Sequence, residues 1–133
     1  MKTAVQLDVT MPNRPGSLAK VCDKLRAAEV NIEALFCTEG QPETALHLIV
    51  DDVETAKMVL REVGEVNTTQ VLAFTIKNKP GSIAQIGRMC AGANINIRNI
   101  YASASGTKKE AMVYVVVDDF ERAKAELAKI RGL

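Results

Sequence analysis

The residues of this 133-residue chain best placed to do chemistry occur twice. Asn13-Arg14-Pro15-Gly16-Ser17-Leu18-Ala19 returns as Asn78-Lys79-Pro80-Gly81-Ser82-Ile83-Ala84, and Asn31-Ile32 returns as Asn96-Ile97 at the same spacing. Each Asn-x-Pro-Gly-Ser turn falls between a strand pattern and a helix pattern. There the free N–H groups of a helix start and the positive end of its dipole favour a carboxylate. Glycine lets a ligand come close to the backbone. Asn31 and Asn96 carry an acceptor and two donors in one side chain, which suits the ammonium and carboxylate of one small molecule. In a βαβ arrangement Asn31 is expected to lie beside the turn.

Other chemistry has few candidates. The single histidine, His47, sits in the alternating stretch Ala45 to Val50, and its counterpart in the repeat is Tyr114, so a packing or interface role is expected. Cys22, Cys37 and Cys90 are an odd number with no CxxC spacing, which argues against a disulfide framework and a zinc site. They read as reduced, small core residues. Asp51-Asp52 and Asp118-Asp119 fall where a strand gives way to a helix, and helix capping accounts for them. Ser105-Gly106-Thr107-Lys108-Lys109 lacks the glycine spacing of a P-loop and reads as a solvated turn. No catalytic residue, metal ligand or cofactor site is expected.

The elements that must position the turns repeat as well. Val5 to Met11 alternates apolar and polar with the period of a strand buried on one face. A helix follows, with Pro15 in its first turn and Leu18, Val21, Cys22, Leu25 and Ala28 at helical spacing. Asn31 to Thr38 and Thr44 to Val50 read as strands around a Gly- and Pro-containing turn, and a second helix starts at Asp51-Asp52. Glu65 to Gln70 supplies a last strand. The second copy has strands near Val71–Lys77, Asn96–Ala102 and Ala111–Val117, and helices near Pro80–Gly92 and Asp119–Arg131. After Ile130 too little chain remains for its last strand, so that sheet edge is either open or paired by something else. The boundaries are therefore 1–70 and 71–133, each too small to bury much surface alone, and an unpaired edge points to a second copy of the chain.

Composition narrows the partners. Hydrophobic residues make up 47% and charged residues 25%, enough for a packed interior. Lys plus Arg number 17 against 16 Asp plus Glu, without long runs of one sign, which disfavours nucleic acid and anionic membranes. The longest apolar run, Ala111 to Val117, is far short of a bilayer span, and the N-terminus lacks a secretory apolar region, so a cytoplasmic protein is expected.

At Asn13 to Leu18, Val30-Asn31-Ile32 and Val50-Asp51-Asp52 the sequence resembles the ACT domain family, regulatory modules that bind amino acids or other small metabolites at interfaces between paired modules. The resemblance covers nearly the whole chain, twice. It implies an α+β fold of two ferredoxin-like βαββαβ units in tandem, the second lacking its final strand, with helices on one face of antiparallel sheets. It also implies a sensor of a small amino acid or related metabolite, not an enzyme: either a regulatory subunit of a separately encoded metabolic enzyme or a sensor whose partner the sequence does not name, with a homodimer expected from the unpaired edge. The alternative is a ligand-free scaffold of the same fold. Carried over from serine-binding members, the ligand contacts are Asn13 and Asn31, with Asn78 and Asn96 in the second copy. Gly16, Ser17, Leu18 and Ile32, with Gly81, Ser82, Ile83 and Ile97, complete the expected lining. Those members have a histidine two residues before the turn asparagine; here Met11 and Ile76 stand there, which points to a more apolar pocket.

Overall fold

A computed structural model describes residues 1–104, 106 and 108–129. Its elements run β1 (Lys2–Pro12), α1 (Ser17–Ala27), β2 (Ile32–Thr38), β3 (Glu43–Val50), α2 (Val53–Leu60), β4 (Val66–Lys77), α3 (Ser82–Gly92), β5 (Ile97–Ser103), β6 (Glu110–Val117) and α4 (Phe120–Leu127). The chain divides into two units: Val5–Thr69, and Gln70–Leu133 together with Met1–Ala4.

In the first unit the strand order is β2-β3-β1-β4. β1 and β2 both pair antiparallel with β3, in a register that sets Leu7 against Leu48 and Leu35 against Leu48. The period of two in β1 sends Leu7, Val9 and Met11 to one face, where they meet Leu46 and Leu48 of β3. Val21 and Leu25 of α1 and Ala56 and Leu60 of α2 close the core from above. Each leucine buried this fully contributes roughly 1.5–3 kcal/mol. Both helices thus cover a single face of an antiparallel sheet.

The second unit repeats the plan. β6 pairs antiparallel with β4 and β5, and Leu72, Phe74 and Ile76 join Val113 and Val115 beneath Ile86 and Cys90 of α3 and Ala123 and Leu127 of α4. On the other side of β4 lies β1, whose first residues Met1–Ala4 group with this unit. Met1 and Lys2 line a cleft with Ala73, Thr75 and Met112. An early segment of the chain therefore lies at the edge where the sequence offers no late strand. The stretch after Ile130, where no strand is expected, lies outside the described residues, as do Ser105 and Thr107 of the expected turn.

Three expectations need correction. The strand at Glu65 to Gln70 and the strand at Val71 to Lys77 are one strand, β4, because nothing from Val66 to Lys77 is a glycine or proline that would break it. The first helix of each unit starts at Ser17 and Ser82, not at the proline, because Gly16 and Gly81 adopt a left-handed conformation that no helix continues through. Of the cysteines only Cys90 is buried; Cys22 is half-buried and Cys37, on the edge strand β2, is exposed. Burial holds the Cys22 and Cys90 thiols above their ordinary pKa, with Asp23 and Cys37 adding to the effect at Cys22. Neither is an activated nucleophile. Among the described residues no helix is long and apolar enough to cross a membrane, and no group of three or more His, Cys, Asp and Glu could hold a metal ion.

Candidate functional site

The two turns match in the dihedrals of their glycines. Gly16 and Gly81 have φ 92°, with ψ −13° and −12°. A Cβ at either glycine would meet no atom within 4 Å, so glycine is required here by conformation and not by space. Ser17 N–H bonds Arg14 C=O at 3.3 Å and Ser82 N–H bonds Lys79 C=O at 3.4 Å. The first helical bonds then run from Lys20 N–H to Gly16 C=O and from Gln85 N–H to Gly81 C=O. No side chain caps either helix. The N–H groups of Leu18 and Ala19, and of Ile83 and Ala84, are left without a partner among the described residues.

The other two helix starts are closed. Asp52 accepts from Thr55 N–H at 3.2 Å and from its hydroxyl at 2.6 Å, and these bonds, the hydroxyl's foremost, hold the Asp52 carboxyl below the usual carboxylate range. Asp119 accepts from Arg122 N–H at 3.2 Å. The preceding aspartates serve elsewhere: Asp51 and Asp118 accept from the backbone N–H of Asn31 and Asn96, at 2.9 and 3.1 Å. Capping, expected of both members of each pair, falls to the second alone, Asp52 and Asp119.

The asparagines have separate tasks. Asn13 donates its side-chain amide to Gly40 C=O at 2.7 Å, and Asn78 donates to Lys108 C=O at 3.1 Å. Each ties its turn to the loop between the following two strands. Asn31 is not beside Asn13. Asn13 follows Pro12, which pairs with Glu43, whereas Asn31 precedes Ile32, which pairs with Val50. Seven residue steps along β3 separate those positions, roughly 24 Å along a strand. Asn78 and Asn96 are parted in the same way by β6. In a ferredoxin-like unit the second strand runs parallel to the first, so its beginning lies at the opposite end of the sheet from the first strand's finish. Met11 and Ile76 point into their own cores, Ile32 and Ile97 pack against those cores, and Leu18 and Ile83 are exposed.

The structure brings Gly16 and Ser17 together in a cleft of about 240 Å³. Pro12, Pro15 and Val63 form apolar walls, and Arg14 and Lys20 complete the lining. Val63 enters from beyond α2, a neighbour that no local spacing reveals.

A second cluster was not legible as a cluster. On the sheet face opposite the first core, Asp8 and His47 are direct cross-strand partners, with Nδ1 2.7 Å from the carboxylate. Gln6 donates to the same carboxylate oxygen at 2.8 Å, and the Thr69 hydroxyl donates to the other. His47 Nε2 lies 3.2 Å from the Thr38 hydroxyl, and the ring stacks on Phe36 with centroids 4.4 Å apart. The second unit keeps the stack as Tyr101 on Tyr114, at 5.1 Å, but has Ala73 opposite Tyr114. The Asp8–His47 cluster joins side chains of all four strands, and we assign it to holding them in register.

Comparison with known proteins adds the following. Residues 70–133 match the family model described as ACT domain. A crystal structure of a protein from Bacteroides thetaiotaomicron is similar at 25% identity and TM-score 0.88, covering 96% of this chain and 88% of that one. The ligand-free regulatory subunit of aspartate kinase from Thermus thermophilus is similar in fold, at 17% identity, TM-score 0.70 and coverage of 96% and 94%. The corresponding subunit from Thermus flavus is similar at 19% identity, TM-score 0.64 and coverage of 96% and 90%. No curated protein matches in sequence.

Proposed function

With residues 70–133 belonging to the ACT domain family, we propose that this chain is a regulatory sensor of an amino acid or closely related small metabolite. The observation that carries the reading is the pair of uncapped, glycine-started helices, α1 and α3, in a chain that caps α2 and α4 with aspartate. Two helix starts in four keep their N–H groups free, and both lie at the Asn-x-Pro-Gly turn. A carboxylate placed there satisfies those donors and meets the helix dipole. The aspartate kinase subunits of similar fold are regulatory by their descriptions, which supports a role in controlling an enzyme encoded elsewhere.

Because each unit holds its two asparagines at opposite sheet ends, a ligand that touches both kinds needs more than one unit. Exposed apolar residues recur at equivalent positions, Leu35 at 43% on edge strand β2 and Ile100 at 39% on edge strand β5, and these edges are where a second copy of the chain would add its own strand. A thermal-shift screen against the twenty amino acids tests the sensor reading, since a ligand bound only by the folded state raises the midpoint. At least one amino acid should do so, and no response to any of them defeats the reading. Sedimentation of Leu35→Lys against the unaltered protein tests the pairing.

A further inference from the structure

We infer that the first unit's cleft takes a dianionic amino-acid-like metabolite, one that carries a second acid group beyond the α-carboxylate. The inference rests on the sensor reading and names the ligand class of one of its two turns.

Backbone donors, a hydroxyl and charge in Val5–Thr69 converge on this cleft. Leu18 and Ala19 present free N–H groups at the start of an eleven-residue helix. Ser17, which lines the cleft, is nine-tenths buried at 9% exposure, and its hydroxyl has no hydrogen-bond partner among the described residues. No fully buried side-chain polar atom there lacks a partner. The hydroxyl therefore accounts for part of the little surface Ser17 retains, and that surface opens on the cleft. That hydroxyl keeps access to the cleft and can donate to an anion placed there. These donors together make one oxyanion seat.

Charge adds to these donors. Arg14 and Lys20 both line the cleft, and neither is paired with a carboxylate among the described residues. The acidic side chains flanking Val63 are engaged elsewhere: Glu62 holds Lys24 at 2.6 Å, and Glu65 accepts from Asn67. Two free cations beside a seat that already takes one carboxylate make room for a second anionic group, a carboxylate or a phosphate. In the second unit Lys79 replaces Arg14 and the neutral Gln85 replaces Lys20, although Ser82 is likewise buried and unpartnered. The α-carboxylate seat is duplicated, and the second acid seat belongs to the first unit.

The experiment is calorimetric titration of the full chain with three acids, L-aspartate, L-glutamate and O-phospho-L-serine, and with their neutral counterparts L-asparagine, L-glutamine and L-serine. At least one acid should bind more tightly than its counterpart, and which acid does so tells carboxylate from phosphate. Lys20→Gln, which installs the second unit's residue at an exposed site, should weaken that acid about tenfold, as expected for one charge-assisted hydrogen bond, and leave the neutral partner unchanged. Arg14→Gln should act in the same sense, and both variants should keep the unliganded thermal midpoint. Neutral amino acids binding as well as the acids would remove this inference and leave the sensor reading intact. Binding of none of the six, together with no response in the thermal-shift screen of all twenty, would remove both. An acid preference that survives Lys20→Gln and Arg14→Gln would place the second seat elsewhere and overturn the assignment.

Discussion

Gly16 in the first unit and Gly81 in the second hold the same φ, and their ψ values differ by one degree. Yet Lys20 stands where the second unit has Gln85, Asp8 where it has Ala73, and His47 where it has Tyr114. What the copies share are backbone solutions: the left-handed glycine, the aspartate caps, the asparagine amide tied to the next loop. What they do not share are the charged side chains of the first unit's cleft and of the open side of its sheet. A duplicated fold constrains the first set, because each member satisfies a main-chain group or a forced dihedral. The second set is free to diverge, and it is there that two copies of one module come to differ in what they bind.

The largest expected effect tests whether the first unit depends on the cluster that the second does without. Asp8→Ala installs the second unit's residue and strips His47 and the buried Gln6 of their acceptor, which should cost roughly 2–4 kcal/mol in urea unfolding. An unchanged midpoint would mean that the cluster is not what holds the strands in register. Next in size, Gly16→Ala and Gly81→Ala should each destabilise by about 1–2 kcal/mol, because the left-handed conformation is strained for any residue with a Cβ. Equal losses support a shared backbone constraint; a loss confined to one unit breaks the equivalence.

The smallest effect is in pH. The Asp52 carboxyl is held low in the folded state by its bonds to Thr55. Its stabilisation is therefore present above the unfolded carboxylate value of about 3.9 and disappears as pH falls through the lower folded value. The difference in thermal midpoint between the unaltered protein and Asp52→Asn should shrink toward zero in strong acid. Thr55→Val, which removes the hydroxyl's bond to Asp52, should lessen that acid dependence.

Much of this architecture was legible in the residues. Period-two alternation located β1 and β3, helical spacing located α1 and α2, and the Asp pairs located two helix starts, because those signals are local. The recurrence of Asn-x-Pro-Gly-Ser found the turns for the same reason. The separation of Asn13 from Asn31 was not legible, since it depends on the direction of β2 relative to β1. Nor was the Asp8–His47 pairing, which joins positions 39 apart in sequence through strand register. Val63 reached the cleft through tertiary packing alone. Of the strand expected over Glu65 to Gln70, Val66 to Gln70 is strand, and its fusion with the next strand is invisible in a pattern that two strands and one share.

Met1–Ala4 belongs with Gln70–Leu133, so the module that is second in order contains residues made before the first module. During synthesis at about 5–20 residues per second, those four residues wait several seconds or more before the strand they flank has left the ribosome. The intervening module, Val5–Thr69, is complete before then. An affinity tag joined to Met1 would thus burden the later module and spare the one it precedes.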